Sequence, residues 1–151
     1  MEYEQLKLSN QLCFPLYAAS RLITKEYQPH LEKLGITYPQ YLVLMVLWEN
    51  NGITVNEIAH KLLLNTNTIT PLLKRMETTG IIERKRSFDD ERKVLVRLTE
   101  KGEKMRHEAA KIPEALVMGL LSEDISLEEL TNLRDQLHVI INFLTKKEQN
   151  I

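Results

Sequence analysis

Apolar positions recur at helical spacing along most of the chain. Over residues 9–33, Leu12, Leu16, Ala19, Ile23 and Tyr27 follow one another at steps of three and four, which predicts one long N-terminal helix with Pro15 and Pro29 near its ends. Thr37 and Gln40 form a capping box with Pro39 in the first turn, opening an apolar helix that runs through Trp48 and closes at Asn50, Asn51 and Gly52. Thr54 and Glu57 form a second capping box, followed by Val55, Ile58, Ala59 and Leu62 on one face. After a short turn, Ile69, Leu72, Leu73 and Met76 share a face on a helix that starts between Asn65 and Thr68 and stops at Gly80. The period then changes. Residues 81–86 and 93–98 read as short strands joined by the polar stretch 87–92, a hairpin. Thr99 caps a long helix running toward Gly119. A third box, Ser126 with Glu129, opens a last helix carrying Leu127, Leu130, Leu133, Leu137, Ile140 and Leu144.

Two short helices and a tight turn followed by a hairpin predict a winged helix-turn-helix. The fold class is therefore mainly α with a small β-hairpin, α+β, in one domain over residues 1–151. Residues 37–106 form the helix-turn-helix and its wing; residues 1–36 and 107–151 supply flanking helices. The net charge of −1 argues against a nucleic-acid partner until it is divided. Residues 54–106 hold twelve Lys and Arg against eight acids, whereas the flanks hold eight against thirteen. A local basic patch is what a phosphate backbone responds to.

The second short helix is the candidate for a DNA major groove. Opposite its apolar stripe it presents Asn67, Thr70, Pro71, Lys74 and Thr78, with Thr66, Thr68 and Arg75 on the flanks. Hydroxyls, an amide and cations suit phosphates and base edges, and Glu77 is the one acid within the helix. Arg84, Lys85 and Arg86 lead into the hairpin, and Arg92 and Lys93 leave it; a guanidinium at such a tip suits the negative potential of a narrow minor groove. The apolar seam from Leu127 to Leu144 fits a helix-helix contact with a second copy, and a two-fold homodimer reads a pseudo-palindromic double-stranded operator better than one copy can.

Thr70 to Glu77, Gly80, Arg84, Asp89 to Arg92 and Leu98 to Gly102 together resemble the MarR family of bacterial regulators. Asn10 to Phe14, with Tyr17, Tyr27 and Thr37 to Tyr41, is similar to its one-cysteine organic-hydroperoxide-resistance repressors and to allied oxidation-sensing global regulators. The resemblance runs over residues 8–145. It implies a homodimeric, cytoplasmic repressor in which Cys13 senses peroxide, Tyr27 and Tyr38 hydrogen-bond that cysteine across the dimer interface, and Arg92, oriented by Asp90, enters the minor groove. Where many relatives begin the recognition helix with Asp-Ser-Gly, this chain has Asn65, Thr66 and Asn67, so operator preference does not carry over.

The chemistry expected at Cys13 is that of a thiolate nucleophile, whose charged form is favoured by hydroxyl donors; Tyr17, four residues on, shares its helical face. Attack on a peroxide gives a sulfenic acid. A chain with a single cysteine resolves that acid through a backbone nitrogen, another protein or a low-molecular-weight thiol. The plainer alternative is a small buried hydrophobe. A MarR-type repressor released by a small aromatic ligand would make Cys13 incidental. A thiol peroxidase lacks support: there is no resolving cysteine and no basic residue beside Cys13. His30, His60, His107 and His138 show no ligand spacing, so neither a metal nor a cofactor is expected. The first ten residues hold two glutamates and no apolar run, and the longest apolar stretch, residues 41–48, is too short to span a bilayer, so no leader and no membrane partner are expected.

Overall fold

The computed structural model describes residues 3–149. Two single 3-10 turns, Glu4–Leu6 and Leu8–Asn10, precede helix α1 (Cys13–Glu26), and α2 (Gln28–Leu34) follows directly. The single N-terminal helix expected over residues 9–33 is thus divided at Tyr27. Pro29 explains the break: it lacks an amide hydrogen and its ring clashes with the carbonyl four residues back, so it is accommodated in the first turn of a new helix instead. Pro15 sits in the first turn of α1 for the same reason.

Helix α3 (Tyr38–Glu49) is apolar nearly all round and buries Tyr41, Val43, Leu44, Val46 and Leu47. Its capping box is formed: Gln40 Oε1 accepts from the Thr37 amide at 2.9 Å. Around α3 pack the buried Ile58 and Ala59 of α4 (Val55–Lys61) and Ile69, Leu72, Leu73 and Met76 of α5 (Thr66–Thr78). Full burial of each large aliphatic side chain contributes roughly 1.5–3 kcal/mol, which is why this stripe, not propensity, fixes α5. The turn between α4 and α5 holds Leu63 in the left-handed region, φ +54°, an uncommon conformation for a branched side chain.

The expected hairpin forms from β2 (Ile82–Arg86) and β3 (Val94–Leu98), antiparallel with Arg84 opposite Val96. A third strand, β1 (Ile53–Thr54), pairs with the other edge of β3, giving the order β1-β3-β2. The sequence reading missed it because two residues show no period. Gly102 lies where a Cβ would come within 2.3 Å of the Ile81 carbonyl, so glycine alone lets α6 (Glu100–Ala109) approach the start of the wing. The Trp48 indole donates to the Gly102 carbonyl at 3.1 Å.

The helix expected to run on to Gly119 also divides: α6 ends at Ala109 and α7 (Ile112–Leu120) begins with Pro113 in its first turn. The chain falls into two compact units, one ending at Ile112 and the other beginning at Pro113. The second holds most of α7 and α8 (Leu127–Gln149), opened by the Ser126 and Glu129 box. Among its described residues none is buried.

Candidate nucleic-acid interface and thiol site

Helix α5 starts where a side chain can satisfy its first amides. Asn65 Oδ1 accepts from the amide and the hydroxyl of Thr68, both at 3.0 Å. Thr66, Asn67, Thr68, Lys74 and Arg75 are exposed, while Thr70 is half-buried with its hydroxyl on the Thr66 carbonyl at 2.7 Å. Pro71 sits inside the helix, where it lacks the amide that would otherwise donate to the Asn67 carbonyl.

The wing presents cations in two different ways. At its tip, Asp90 Oδ1 accepts from both the amide and Nε of Arg92 at 3.1 Å, and the Arg92 side chain is 92 % exposed. Those bonds hold the Asp90 carboxyl below the usual carboxylate range. The loop is closed by the Ser87 amide on the Lys93 carbonyl at 2.8 Å. Arg86 is exposed at the end of β2. Arg84 is different: its guanidinium is bound to Glu77 of α5 and is only 21 % exposed. A cleft of about 190 Å³ lies between α4, α5 and the wing, lined by Thr54, Asn56, Thr66, Thr70, Arg84, Arg92 and Lys93 among others. The structure thus gathers Thr66, Thr70, Arg84 and Arg92 around one cleft. Lys93, one of the wing cations, lines it too, as does Asn56 of α4, for which the sequence carries no signal.

Cys13 is the first residue of α1 and is exposed, so the buried-hydrophobe alternative does not hold within one chain. Among the described residues no side chain hydrogen-bonds its thiol. Leu12, Phe14, Leu16 and Tyr17 beside it are also exposed, and the Tyr17 ring stacks under the Arg21 guanidinium at 5.2 Å. Tyr27 and Tyr38 come together, ring centroids 4.9 Å apart, and Tyr41 joins them at 5.9 Å and 6.3 Å. Tyr41 was not singled out as a site residue, although it stands three residues after Tyr38 on one helix. Burial, then the neighbouring phenols Tyr38 and Tyr41, push the Tyr27 hydroxyl up to about 12, and burial raises Tyr38 as well. Both therefore remain neutral O–H donors at any physiological pH. Among the described residues no cluster of ligating side chains fits a metal, and no helix is long and apolar enough to cross a membrane.

Helix α5 packed with α4 on the apolar α3, with a basic β-wing beside it, defines the winged helix-turn-helix class. Residues 25–109 match the family model described as transcriptional regulator SarA/Rot. The chain is 47 % identical over 146 residues to the organic hydroperoxide resistance transcriptional regulator of Bacillus subtilis (strain 168), covering 97 % of each. It also resembles the solved structure of reduced AbfR bound to DNA, a Staphylococcus epidermidis protein, with TM-score 0.77 and 36 % identity over 96 % of this chain and 99 % of that one. CouR, a transcriptional repressor bound to a 23-mer DNA duplex, superposes with TM-score 0.80 at 26 % identity over 93 % of this chain and 99 % of that one. The chain belongs to the MarR family of transcriptional regulators, within its one-cysteine organic-hydroperoxide-resistance subgroup. It is a regulator of transcription and not an enzyme.

Proposed function

We propose that this chain is a cytoplasmic homodimeric repressor that binds a pseudo-palindromic operator and releases it when organic hydroperoxide oxidises Cys13. The observation that carries the reading is a mismatch within one chain. The exposed thiol has no hydroxyl partner, while two neutral phenols, Tyr27 and Tyr38, are packed ring to ring. A second copy reconciles the two if each chain's phenols serve the other's thiol. The exposed apolar residues of α8 support the same assembly. The DNA face consists of the exposed Thr66, Asn67, Thr68, Lys74 and Arg75 of α5, with Thr70 beside them, and of Arg86 and Arg92 on the wing.

The chemistry balances as follows. The Cys13 thiolate attacks one oxygen of the peroxide; the O–O bond breaks and the departing alkoxide takes a proton and leaves as the alcohol, giving a sulfenic acid. A low-molecular-weight thiol then displaces that oxygen as water and leaves a mixed disulfide. The added bulk at a packed interface alters the spacing of the two recognition helices, and binding that depends on half-site spacing weakens.

Titration of operator binding with cumene hydroperoxide tests the reading. Wild type is expected to release its duplex, and Cys13→Ser is expected to bind equally well and stay bound. A serine variant still released by oxidant overturns the redox mechanism. A second reading is favoured by one observation, a cleft of about 440 Å³ lined by the apolar Leu31 and Ile36, the Tyr38 ring, the cations Arg21 and Lys25 and the acid Glu32. Such a cleft suits a small aromatic ligand, and release of Cys13→Ser by a phenolic compound would establish it.

A further inference from the structure

Glu77 is the only acid of α5, on the element meant to approach phosphates, and it should weaken binding there. Its carboxylate is not free. Arg84 on β2 donates to it three times: the amide to Oε1 at 3.0 Å, Nε to Oε2 at 3.0 Å and Nη2 to Oε2 at 2.7 Å. Backbone and guanidinium thus grip both carboxylate oxygens, and charge-assisted forks of this kind hold an orientation as well as a distance.

The place of the pair in the fold gives it leverage. The start of the wing is fixed by the core through Ile81 and Ile82, and by the Thr99 hydroxyl on the Gly80 carbonyl at 2.7 Å. At roughly 3.3 Å per residue, β2 carries the chain about 13 Å further, from Ile82 to Arg86, before the tip loop begins. A small rotation about that start is therefore magnified at Arg92. Arg84 lies at the middle of β2, opposite the buried Val96, and is the point where α5 grips the strand from outside the core.

We propose that Glu77 and Arg84 are positioning residues: their fork sets the angle of the wing against the recognition helix, so that α5 and Arg92 engage DNA as one rigid body. Arg84 is then a strut and not a phosphate contact, which departs from the DNA-contact role expected of it from sequence. The inference rests on the DNA-binding reading above.

The sign of one substitution separates this role from simple electrostatics. Glu77→Gln removes a negative charge from the DNA side, so an acid that merely repels phosphate predicts tighter binding. A positioning residue predicts looser binding to a specific duplex, by roughly tenfold, with binding to random-sequence duplex unchanged or tighter. Arg84→Lys keeps the charge and loses the fork, and should loosen specific binding in the same way. The probe is a duplex selected from a random-sequence library on the unaltered full chain, read by fluorescence anisotropy, with thermal unfolding of each variant alongside. In a double-mutant cycle, Arg92→Ala should cost much less in the Glu77→Gln background than in wild type. Additive penalties, or a Glu77→Gln variant that binds the selected duplex as tightly as wild type or tighter, overturn the strut. Arg84→Lys, whose charge is unaltered, decides the matter if Glu77→Gln fails to fold: specific binding equal to wild type overturns it. A wild-type chain that selects no duplex overturns the DNA-binding reading itself.

Discussion

Helices α5 and α8 are both amphipathic in sequence and meet opposite fates. In α5, thirteen residues long, Ile69, Leu72, Leu73 and Met76 are buried, the first turn is capped by Asn65, and the one acid is paired. In α8, 23 residues long, no described residue is buried: Leu133, Val139, Phe143 and Leu144 are all exposed, although its capping box is as complete as the others. Capping and periodicity therefore make a helix; they do not say what covers it. The first is finished within its own chain. The second carries an apolar face that a second copy, under the proposed function, supplies.

The largest way to break that contrast is to charge the α8 seam. Ile140→Glu combined with Leu144→Glu should convert a dimer to a monomer in light scattering, and lower operator affinity by on the order of a hundredfold because only one half-site is then engaged. A double variant that remains dimeric places the interface elsewhere. Next in size, Leu73→Ala should destabilise the chain by about 2–5 kcal/mol in urea unfolding. Leu133→Ala should instead leave a thermal midpoint that depends more steeply on protein concentration, the mark of a residue whose burial comes from association. Smaller again, Arg92→Ala should weaken operator binding by about 1–3 kcal/mol without slowing oxidation of Cys13, measured by loss of free thiol. The smallest effect is alkaline. The Tyr27 hydroxyl is raised in the folded chain from 10.0 to about 12, so the unfolded chain loses its proton first. Its contribution is whole below pH 10 and fades as pH rises toward 12, and Tyr27→Phe should remove that part of the decline.

What the sequence revealed, and what it hid, follows from the range of each interaction. The boxes at Thr37, Thr54 and Ser126 are contacts across three residues, and each formed as read. The wing strands were bounded within one residue, because β-branched positions and the polar loop between them are local too. Apolar spacing alone carries the expected helices through Pro29 and Pro113, whereas the missing amide places each proline in the first turn of a new helix. Strand β1 stayed hidden because its two residues are extended only by pairing with Val96 and Leu95. At the site, Arg92 beside Asp90 is a two-residue relation and was legible. The Arg84–Glu77 fork joins two elements, and nothing in either segment alone distinguishes a strut from a phosphate contact.

Trp48, which donates to the Gly102 carbonyl, is the sole indole of the chain. Tyr41 meets it edge-on with ring centres 6.4 Å apart, and Tyr27 and Tyr38 stand directly behind. Light absorbed by those phenols drains into one emitter. From Pro113 onward the chain contains neither tyrosine nor tryptophan, so the second unit is dark in the same experiment. Fluorescence thus reports on the first unit alone, whereas circular dichroism reports on the helices of both.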